Sequence, residues 1–351
     1  MTSAGHIAAT LAQELSARAD ISSQSLQSYG IRIAIESPAT VIIISEPTDP
    51  RVQLFRPKSV RNHQEYHRQW SSLKSQGMEP ALHGGRRAMA RMLEAITRGA
   101  KIRPISFLTT QELAQSVLLK KPVADKELEV DQKLVPAPIY IADKDLLNTI
   151  RGQKLNVGDA ILAMVQFPMV SKLEELLAHP PILILENVRN AENVGSILRT
   201  AFCLGITSIV ASATAWAAFK DSRAARCSMG TMYYNRYYKT TDSTCDSFQD
   251  ESSLVSTIRK LQQGGIRVYG IEIGEDAKAI APHGANRNWA AVMGNEDVGL
   301  SSHVGSACDQ MIYIPQAHGD SLNVGHAAAI AMFELGRETP TPDHDGLAAC
   351  T

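Results

Sequence analysis

The 351-residue chain contains no long hydrophobic run. Its apolar stretches, such as Val41 to Ile44, have the length of a strand, whereas a membrane-spanning helix needs about 18 or more consecutive apolar residues. A secretory hydrophobic segment is also lacking at the N-terminus. The hydrophobic fraction of 44% is nevertheless ordinary for a soluble protein with buried cores. The sequence therefore predicts a globular protein with no membrane partner.

Paired cysteines and metal-ligand clusters are lacking as well. Five cysteines are scattered without a C-x-x-C pair, which indicates a reducing compartment and argues against a disulfide framework or a structural zinc site. His318 and His326 have no Cys, His or carboxylate set at zinc spacing, so we predict packing or surface histidines and no metal. No G-x-G-x-x-G opens a helix, which argues against classical dinucleotide binding.

The first 40 or so residues are rich in Ala and Ser, as organellar transit peptides are. Glu14 and Asp20 depart from the acid-poor composition of such peptides, and a frayed tail is the favoured interpretation. We expect a cytoplasmic protein, or an organellar one if this extension is a transit peptide.

The net charge of −1 conceals a strongly basic region between Arg51 and Arg103. Twelve Lys and Arg residues stand there against three Glu, a local excess of nine positive charges. Such an excess is typical of a surface that binds a polyanion. A solvated basic surface balanced by acids elsewhere is the alternative, and charge alone does not decide between them.

The pattern of apolar runs predicts two α/β domains. We predict a poorly determined extension at residues 1–45, a smaller α/β domain at 46–170, a second domain at 178–338 and a tail at 339–351. In the second domain, strands alternate with helices, which predicts a mostly parallel sheet with helices on both faces.

Three loops of the second domain carry unusual polar residues directly after predicted strands. The first loop, "ENVRNAENVG", overlaps the end of the predicted strand "ILILE". The second loop, "GNEDVGLS", overlaps the end of the strand "AAVMG", and the third loop, "QAHGDSLN", follows the strand "MIYIP". Because ligands of parallel sheets bind beyond the carboxyl ends of the strands, the three loops predict one site. Its Asn and Ser side chains orient ligands rather than exchange protons, so transfer of an already activated group fits better than hydrolysis.

Each polar residue of these loops also has a purely structural interpretation. Asn193 could cap a helix that begins near Gly195, and Arg199 could be a surface arginine. Glu296 could be an acidic residue ahead of a helix N-terminus, and Ser321 could cap the last helix. Their occurrence together at three strand ends favours a site.

The three loops resemble the three motifs of the SpoU/TrmH class of SPOUT RNA methyltransferases. "NAENVGSILRTA" is similar to the first motif, "VMGNEDVGLS" to the second and "YIPQAHGDSLNVGHAAAI" to the third, across roughly residues 181–337. The preceding region resembles, more weakly, the ribosomal-protein-like substrate-binding domain of many members. The resemblance implies a C-terminal trefoil knot, a homodimer, and transfer of methyl from S-adenosyl-L-methionine to a ribose 2′-hydroxyl of structured RNA.

The resemblance also implies the site residues. The catalytic positions fall on Asn193, Arg199, Glu296, Ser321 and Asn323, and the cofactor-binding positions on Gly294, Ile314 and Leu322. We expect Glu296 to brace either Arg199 or the backbone amides of the first motif.

Ribosomal RNA is favoured over tRNA as the partner, because the extra domain is N-terminal and basic. A tRNA ribose methyltransferase and a catalytically silent RNA-binding paralogue are the alternatives. One departure from the family pattern is the loop Gln316–Asp320, which is one residue shorter than usual and which we expect to change the shape of a cofactor-lining loop.

Overall fold

The computed structural model describes residues 41–118, 137–167, 170–241, 253–284, 286–318 and 321–337. Outside these residues lie nearly all of the predicted extension, the predicted tail, the charged stretch at 119–136 and part of the loop Gln316–Asp320. The strands are β1 Val41–Ile43, β2 Pro80–Gly84, β3 Arg103–Thr109, β4 Ile139–Ile141, β5 Ile161–Gln166, β6 Ile182–Leu185, β7 Ser208–Ala211, β8 Arg236–Lys239, β9 Arg267–Ile271, β10 Lys278–Ala279, β11 Trp289–Met293 and β12 Gln310–Tyr313. The α-helices are α1 His63–Ser75, α2 Arg86–Thr97, α3 Gln111–Leu113, α4 Lys144–Arg151, α5 Leu173–Leu177, α6 Ala191–Cys203, α7 Ala213–Phe219, α8 Ser222–Cys227, α9 Leu254–Gln263, α10 Ser302–Ala307 and α11 Val324–Gly336.

The chain forms two compact units, and the first contains residues up to 169 together with Lys220–Tyr234. Its sheet has the order β1-β4-β3-β5-β2, in which β5 runs antiparallel to both β3 and β2. The apolar runs "PISFLTT", "APIYIAD" and "AILAMVQFP" predict β3, β4 and β5, and the stretch from Val41 to Ile44 has the length of a strand, but β2 was not predicted. The sheet is therefore mixed, with an antiparallel side that the sequence pattern did not indicate.

The segment Lys220–Tyr234 follows β7 and α7 in the chain but packs within the first unit. Gly230 has a φ of +81°, and an added Cβ there would lie 3.0 Å from the backbone of Ala88 in α2. The Tyr233 hydroxyl lies 2.9 Å from Nδ1 of His83, which is fully buried in β2. The compact units thus divide the chain differently from the predicted boundary, which placed this segment in the second domain.

The second unit is built on a seven-stranded parallel sheet with the order β10-β12-β9-β11-β6-β7-β8. Strands β6 and β11 are buried throughout, as expected of strands covered on both faces. The α/β class and the mostly parallel sheet predicted for this region are confirmed. Strands β8 and β10 and helix α7 had not been predicted.

The order of the strands places a topological switch point beside β6. The chain runs from β6 through β7 to β8 at one edge, and then returns to β9 on the other side. The last residues of β6, β11 and β9 are in register, because Met293 is paired with both Leu185 and Ile271. Ligands of parallel sheets bind at such a point, beyond the carboxyl ends of the strands.

No described helix is long and apolar enough to cross a membrane.

Candidate functional site

The Glu296 carboxylate lies at the centre of a hydrogen-bond network beyond the ends of β6 and β11. It accepts hydrogen bonds from the backbone amides of Arg189 at 3.2 Å and Asn190 at 3.0 Å. Its oxygens also accept from the side-chain amides of Asn193 at 3.1 Å and Asn295 at 3.3 Å. We expected Glu296 to brace either Arg199 or the backbone amides of the first loop, and the structure shows the hydrogen bonds to those amides.

Asn193 connects this carboxylate to the third loop. Its Nδ2 donates to Glu296, and its Oδ1 accepts a hydrogen bond of 3.1 Å from Nδ2 of Asn323. Asn323 in turn accepts from the backbone amide of Gly325 and is the N-cap of α11. Helices α6 and α11 pack against each other, which brings the first and third motifs into contact. The structure thus joins three of the five predicted catalytic residues directly.

The structural interpretation of Asn193 is wrong, because Asn190 is the residue that caps α6. The Asn190 side chain accepts from the amides of Glu192 and Asn193, and the helix begins at Ala191. The Asn193 side chain is consequently available for Glu296 and Asn323. The cap of α11 is also Asn323 rather than Ser321, since the helix begins only at Val324.

Glu296 is ionised at neutral pH. Partial burial raises the pKa of its carboxyl, but the hydrogen bonds from Asn193 and from the amides of Glu296 itself, Arg189 and Asn190 outweigh that effect and hold the pKa below its ordinary value. A carboxylate with several amide donors and a lowered pKa is a weak base. Glu296 is therefore suited to position the first loop and to supply negative charge, and poorly suited to remove a proton.

Asn187 holds the turn between β6 and α6 in an unusual backbone conformation. Its φ is +54°, in the left-handed region that most side chains avoid. Asn295 Nδ2 donates to its carbonyl at 2.8 Å, and the Ser212 hydroxyl lies 3.0 Å from its amide and 3.2 Å from its Oδ1. These contacts compensate for the strain and place the adjacent amides of the first loop toward Glu296.

We expect Asn187→Gly to retain the fold and Asn187→Val to destabilise it. Glycine adopts the observed φ freely, whereas a β-branched residue there costs about 1–3 kcal/mol. Thermal unfolding of both variants measures the difference, and the valine variant should unfold at a temperature lower by roughly 2–10 °C. Equal unfolding temperatures for the two variants would show that this φ is not enforced by the surrounding structure.

A cleft of about 300 Å³ opens beside the network and is lined by all three predicted cofactor-binding residues, Gly294, Ile314 and Leu322. The predicted catalytic residues Glu296 and Ser321 line it as well. Its volume is at the lower end of the range of small-molecule sites. The described cleft-lining residues are Ile271, Glu272, Ile273, Met293, Gly294, Asn295, Glu296, Asp297, Val298, Gly299, Tyr313, Ile314, Gln316, Ser321, Leu322, Val324 and Ala327.

The chemistry of the cleft fits a cationic sulfonium cofactor. Apolar side chains from the ends of β9 and β11 can cover an adenine ring, and the carboxylates of Glu272 and Glu296 supply negative charge. Glu272 also accepts from the amide of Leu300 at 3.0 Å, which fixes the loop after β11. Close packing shapes the same wall, because a Cβ on Gly294 would lie 2.4 Å from the carbonyl carbon of Gly299.

Gly294→Ala is expected to weaken S-adenosylmethionine binding about tenfold or more. The added methyl group would meet backbone atoms, so the loop after β11 would have to move, at a cost of about 1–3 kcal/mol. Calorimetric titration measures the affinity. Gly274→Ala is the matched control, since a Cβ there meets nothing within 4 Å. Equal affinities for the two variants would exclude Gly294 from the wall of the cofactor site.

Arg199 is separate from the network within the described structure. It lies on α6, exposed to solvent, and no hydrogen bond or ion pair joins it to another described residue. Glu192, Ser196 and Cys203 share its exposed helix face. An exposed guanidinium without a partner among the described residues, on the helix that also carries Asn193, is available to an anionic ligand.

Sequence reasoning missed several residues that support the site. They are Ser212 at the first loop, Asn295 beside Glu296, Glu272 after β9, and Glu186. Glu186 is 5% exposed and accepts from the amide and hydroxyl of Ser301, the N-cap of α10. The sequence feature that could have indicated Glu186 is a carboxylate directly after the apolar run "ILIL". No sequence feature indicated the positive φ of Asn187.

Comparison with known proteins identifies the family. The model of the SpoU rRNA Methylase family matches residues 180–333. A Burkholderia protein named 23S rRNA (guanosine-2'-O-)-methyltransferase RlmB is 30% identical over 211 residues, which cover 58% of this chain and 78% of that protein.

Two solved structures share the fold. A TrmH-family RNA methyltransferase structure from Porphyromonas gingivalis aligns with a TM-score of 0.58 at 19% identity, covering 84% of this chain and 98% of that one. The SpoU methyltransferase AviRb of Streptomyces viridochromogenes, solved in complex with AdoMet, aligns with a TM-score of 0.56 at 18% identity, covering 82% and 95%.

These comparisons confirm the resemblance, the enzyme class and the predicted cofactor; the trefoil knot, the homodimer and the individual site residues stay predictions. The residues matched by the family model include the Glu296 network and all of the cleft-lining residues named above. The chain therefore belongs to the SpoU/TrmH family of S-adenosylmethionine-dependent RNA methyltransferases.

Proposed function

We propose that the protein methylates a ribose 2′-hydroxyl of ribosomal RNA. The observation that carries this proposal is the network in which Glu296 and Asn193 join three motif loops beside the cleft. The Burkholderia relative, named as a 23S rRNA (guanosine-2'-O-) enzyme, supports the choice of RNA and of the ribose. The basic region between Arg51 and Arg103 supports a polyanionic substrate.

S-adenosylmethionine supplies a methyl group that is already activated by its sulfonium charge. The chain then has to hold a ribose hydroxyl in line with that group and stabilise the negative charge that develops on its oxygen. Asn193 and Asn323 provide fixed amides beside the cleft. A guanidinium group is a poor base, so the proposed role of Arg199 is to clamp an RNA phosphate and stabilise the developing alkoxide rather than to remove a proton.

A homodimer, implied by the family resemblance, is part of the proposal. Helix α11 exposes Ile330 to 41% and Phe333 to 60%, one turn apart on the same face. Large apolar side chains in such a row support burial against a second copy of the chain. Light scattering at several protein concentrations measures the mass, and a monomer throughout would contradict this part of the proposal.

The proposed function is tested by transfer of radiolabelled methyl from S-adenosylmethionine to total RNA that lacks native modification. Mapping of the product should place one 2′-O-methyl group in ribosomal RNA. A label in tRNA would replace ribosomal RNA as the substrate. Absence of label together with absence of cofactor binding, measured by calorimetry, would contradict an enzymatic role and leave a silent RNA-binding protein.

A further inference from the structure

Helix α1 in the first unit carries an aromatic stack on a helix without a buried residue. Tyr66 and Trp70, one turn apart, have ring centroids 5.5 Å apart and an angle of 17° between their planes. The guanidinium carbon of Arg61 lies 3.4 Å from the centroid of the Tyr66 ring. Tyr66 thus contacts both a cation and a second aromatic ring at a partly exposed surface.

Next to this stack lie two further arginines without an acidic partner among the described residues. The Arg151 guanidinium donates to the carbonyl of Phe55, directly before Arg56. Arg61 follows Arg56 by five residues. Its backbone amide donates a hydrogen bond to the carbonyl of Pro57, whose ring lies close to Gly152. The Nε atoms of Arg56, Arg61 and Arg151 are buried and have no hydrogen-bond partner within the part of the chain that the structure describes.

Two other arginines of this region do have an acidic partner. Arg51 contacts Asp49 at 2.5 Å, and Arg68 contacts Glu65 at 2.8 Å. For the three unpaired arginines, the cost of partial desolvation is not offset by an anion from the described chain. An anion that contacts their outer nitrogens would offset it. The combination of unpaired guanidinium groups and a stacked aromatic pair fits a nucleotide, which presents a phosphate and a flat base together.

We propose that Arg56, Arg61, Arg151, Tyr66 and Trp70, here called the α1 surface, bind an unpaired stretch of the RNA substrate. A base stacks on the aromatic pair, and a backbone phosphate contacts the arginines. Unpaired rather than duplex RNA is the occupant, because only unstacked bases expose their faces to aromatic side chains. This inference rests on the proposed function for its choice of RNA. It adds a contact in the first unit, remote in sequence from the three motifs.

Tryptophan fluorescence reports on this surface specifically. The chain has three tryptophans, and Trp216 and Trp289 are each 1% exposed. Trp70 is the partly exposed one. Addition of a roughly ten-nucleotide oligouridylate, within the usual site sizes of single-strand binders, should quench Trp70 emission and protect it from acrylamide in the full-length protein. No substitution is required for this measurement.

Anisotropy of the same labelled oligouridylate gives the affinity. Trp70→Ala should raise its Kd about 5- to 150-fold, the effect of losing one stacked base, whereas Trp70→Phe should restore most of the affinity. Arg61→Gln should reduce the slope of log Kd against log salt by about 0.7, the value for one lost phosphate contact. Lys74→Gln, an exposed charge in the last turn of α1, is the matched control and should change Kd by less than about twofold.

Three results would overturn the inference: unquenched Trp70 at saturating oligouridylate, an unchanged Kd for Trp70→Ala, or an equal loss in Lys74→Gln. The last would indicate diffuse charge, and the first two would leave the surface to another partner such as a protein. Failure of the proposed function looks different. In that case the wild-type protein transfers no methyl group to RNA, while the quenching of Trp70 in the wild type and the raised Kd of Trp70→Ala persist.

Discussion

Arg199→Ala is expected to lower the rate of methyl transfer by about 100- to 1000-fold, the usual effect of removing one donor to a developing oxyanion. Arg199 is exposed and makes no hydrogen bond or ion pair within the described chain, so its truncation should leave the unfolding temperature nearly unchanged. Methyl transfer to unmodified RNA, with parallel calorimetry for S-adenosylmethionine, measures both effects. We expect a cofactor Kd within about threefold of wild type.

Two further variants define what Arg199 contributes. Arg199→Lys keeps the charge but loses the planar pair of donors, and we expect a loss of about 10- to 100-fold. Near-complete retention of rate in the lysine variant, across its pH profile, would show that bidentate contact with the RNA is not needed. Arg259→Ala removes an exposed arginine from α9, outside the three loops, and should retain full activity.

Glu296→Gln is expected to lower methyl transfer about 100-fold or more and also to destabilise the fold. The carboxylate only accepts hydrogen bonds, and it receives four. A glutamine amide keeps one acceptor oxygen, so some of the amide donors of Arg189, Asn190, Asn193 and Asn295 lose their partner. The loss costs about 1–3 kcal/mol for a fully buried donor and less for these exposed or partly buried ones. Activity assays and thermal unfolding measure the two effects. A variant with wild-type activity would remove Glu296 from the positioning role.

The pH dependence gives an independent test of the same contacts. Because the folded pKa of Glu296 lies below its ordinary value of 4.5, its stabilising contribution is complete above that value and is lost as the pH falls through the folded pKa. The difference in unfolding temperature between wild type and Glu296→Gln should therefore narrow below about pH 4.5. Glu275→Gln, an exposed carboxylate after β9, should show no comparable narrowing.

The sequence predicted the second unit well because its strands are apolar runs and its site lies in polar loops directly after them. Strands β6, β11 and β12 end next to the three loops, as their apolar patterns indicated. The first unit was predicted less completely. Strand β2, "PALHG", is short and begins with proline, and its antiparallel pairing with β5 depends on residues more than 70 positions away.

Within the site, the sequence indicated which residues are present but not how they are paired. Either Asn190 or Asn193 could cap α6 on composition alone, and the choice depends on where the helix begins. The partner of Glu296 likewise depends on the left-handed turn at Asn187, which brings the loop amides into reach. Such choices are settled by backbone geometry, which residue types at fixed spacing do not determine.

The negative charge of Glu296 determines which atoms donate and which accept in the chain of hydrogen bonds from Glu296 through Asn193 to Asn323. Each asparagine amide could in principle turn over and exchange its donor and acceptor ends. A carboxylate excludes that, because Asn193 must turn its NH₂ group toward Glu296 and hence its oxygen toward Asn323. Asn323 must then offer its own NH₂, which leaves its oxygen for the first amides of α11. The ionisation of a single residue in the second motif thus fixes the polarity of the helix cap in the third.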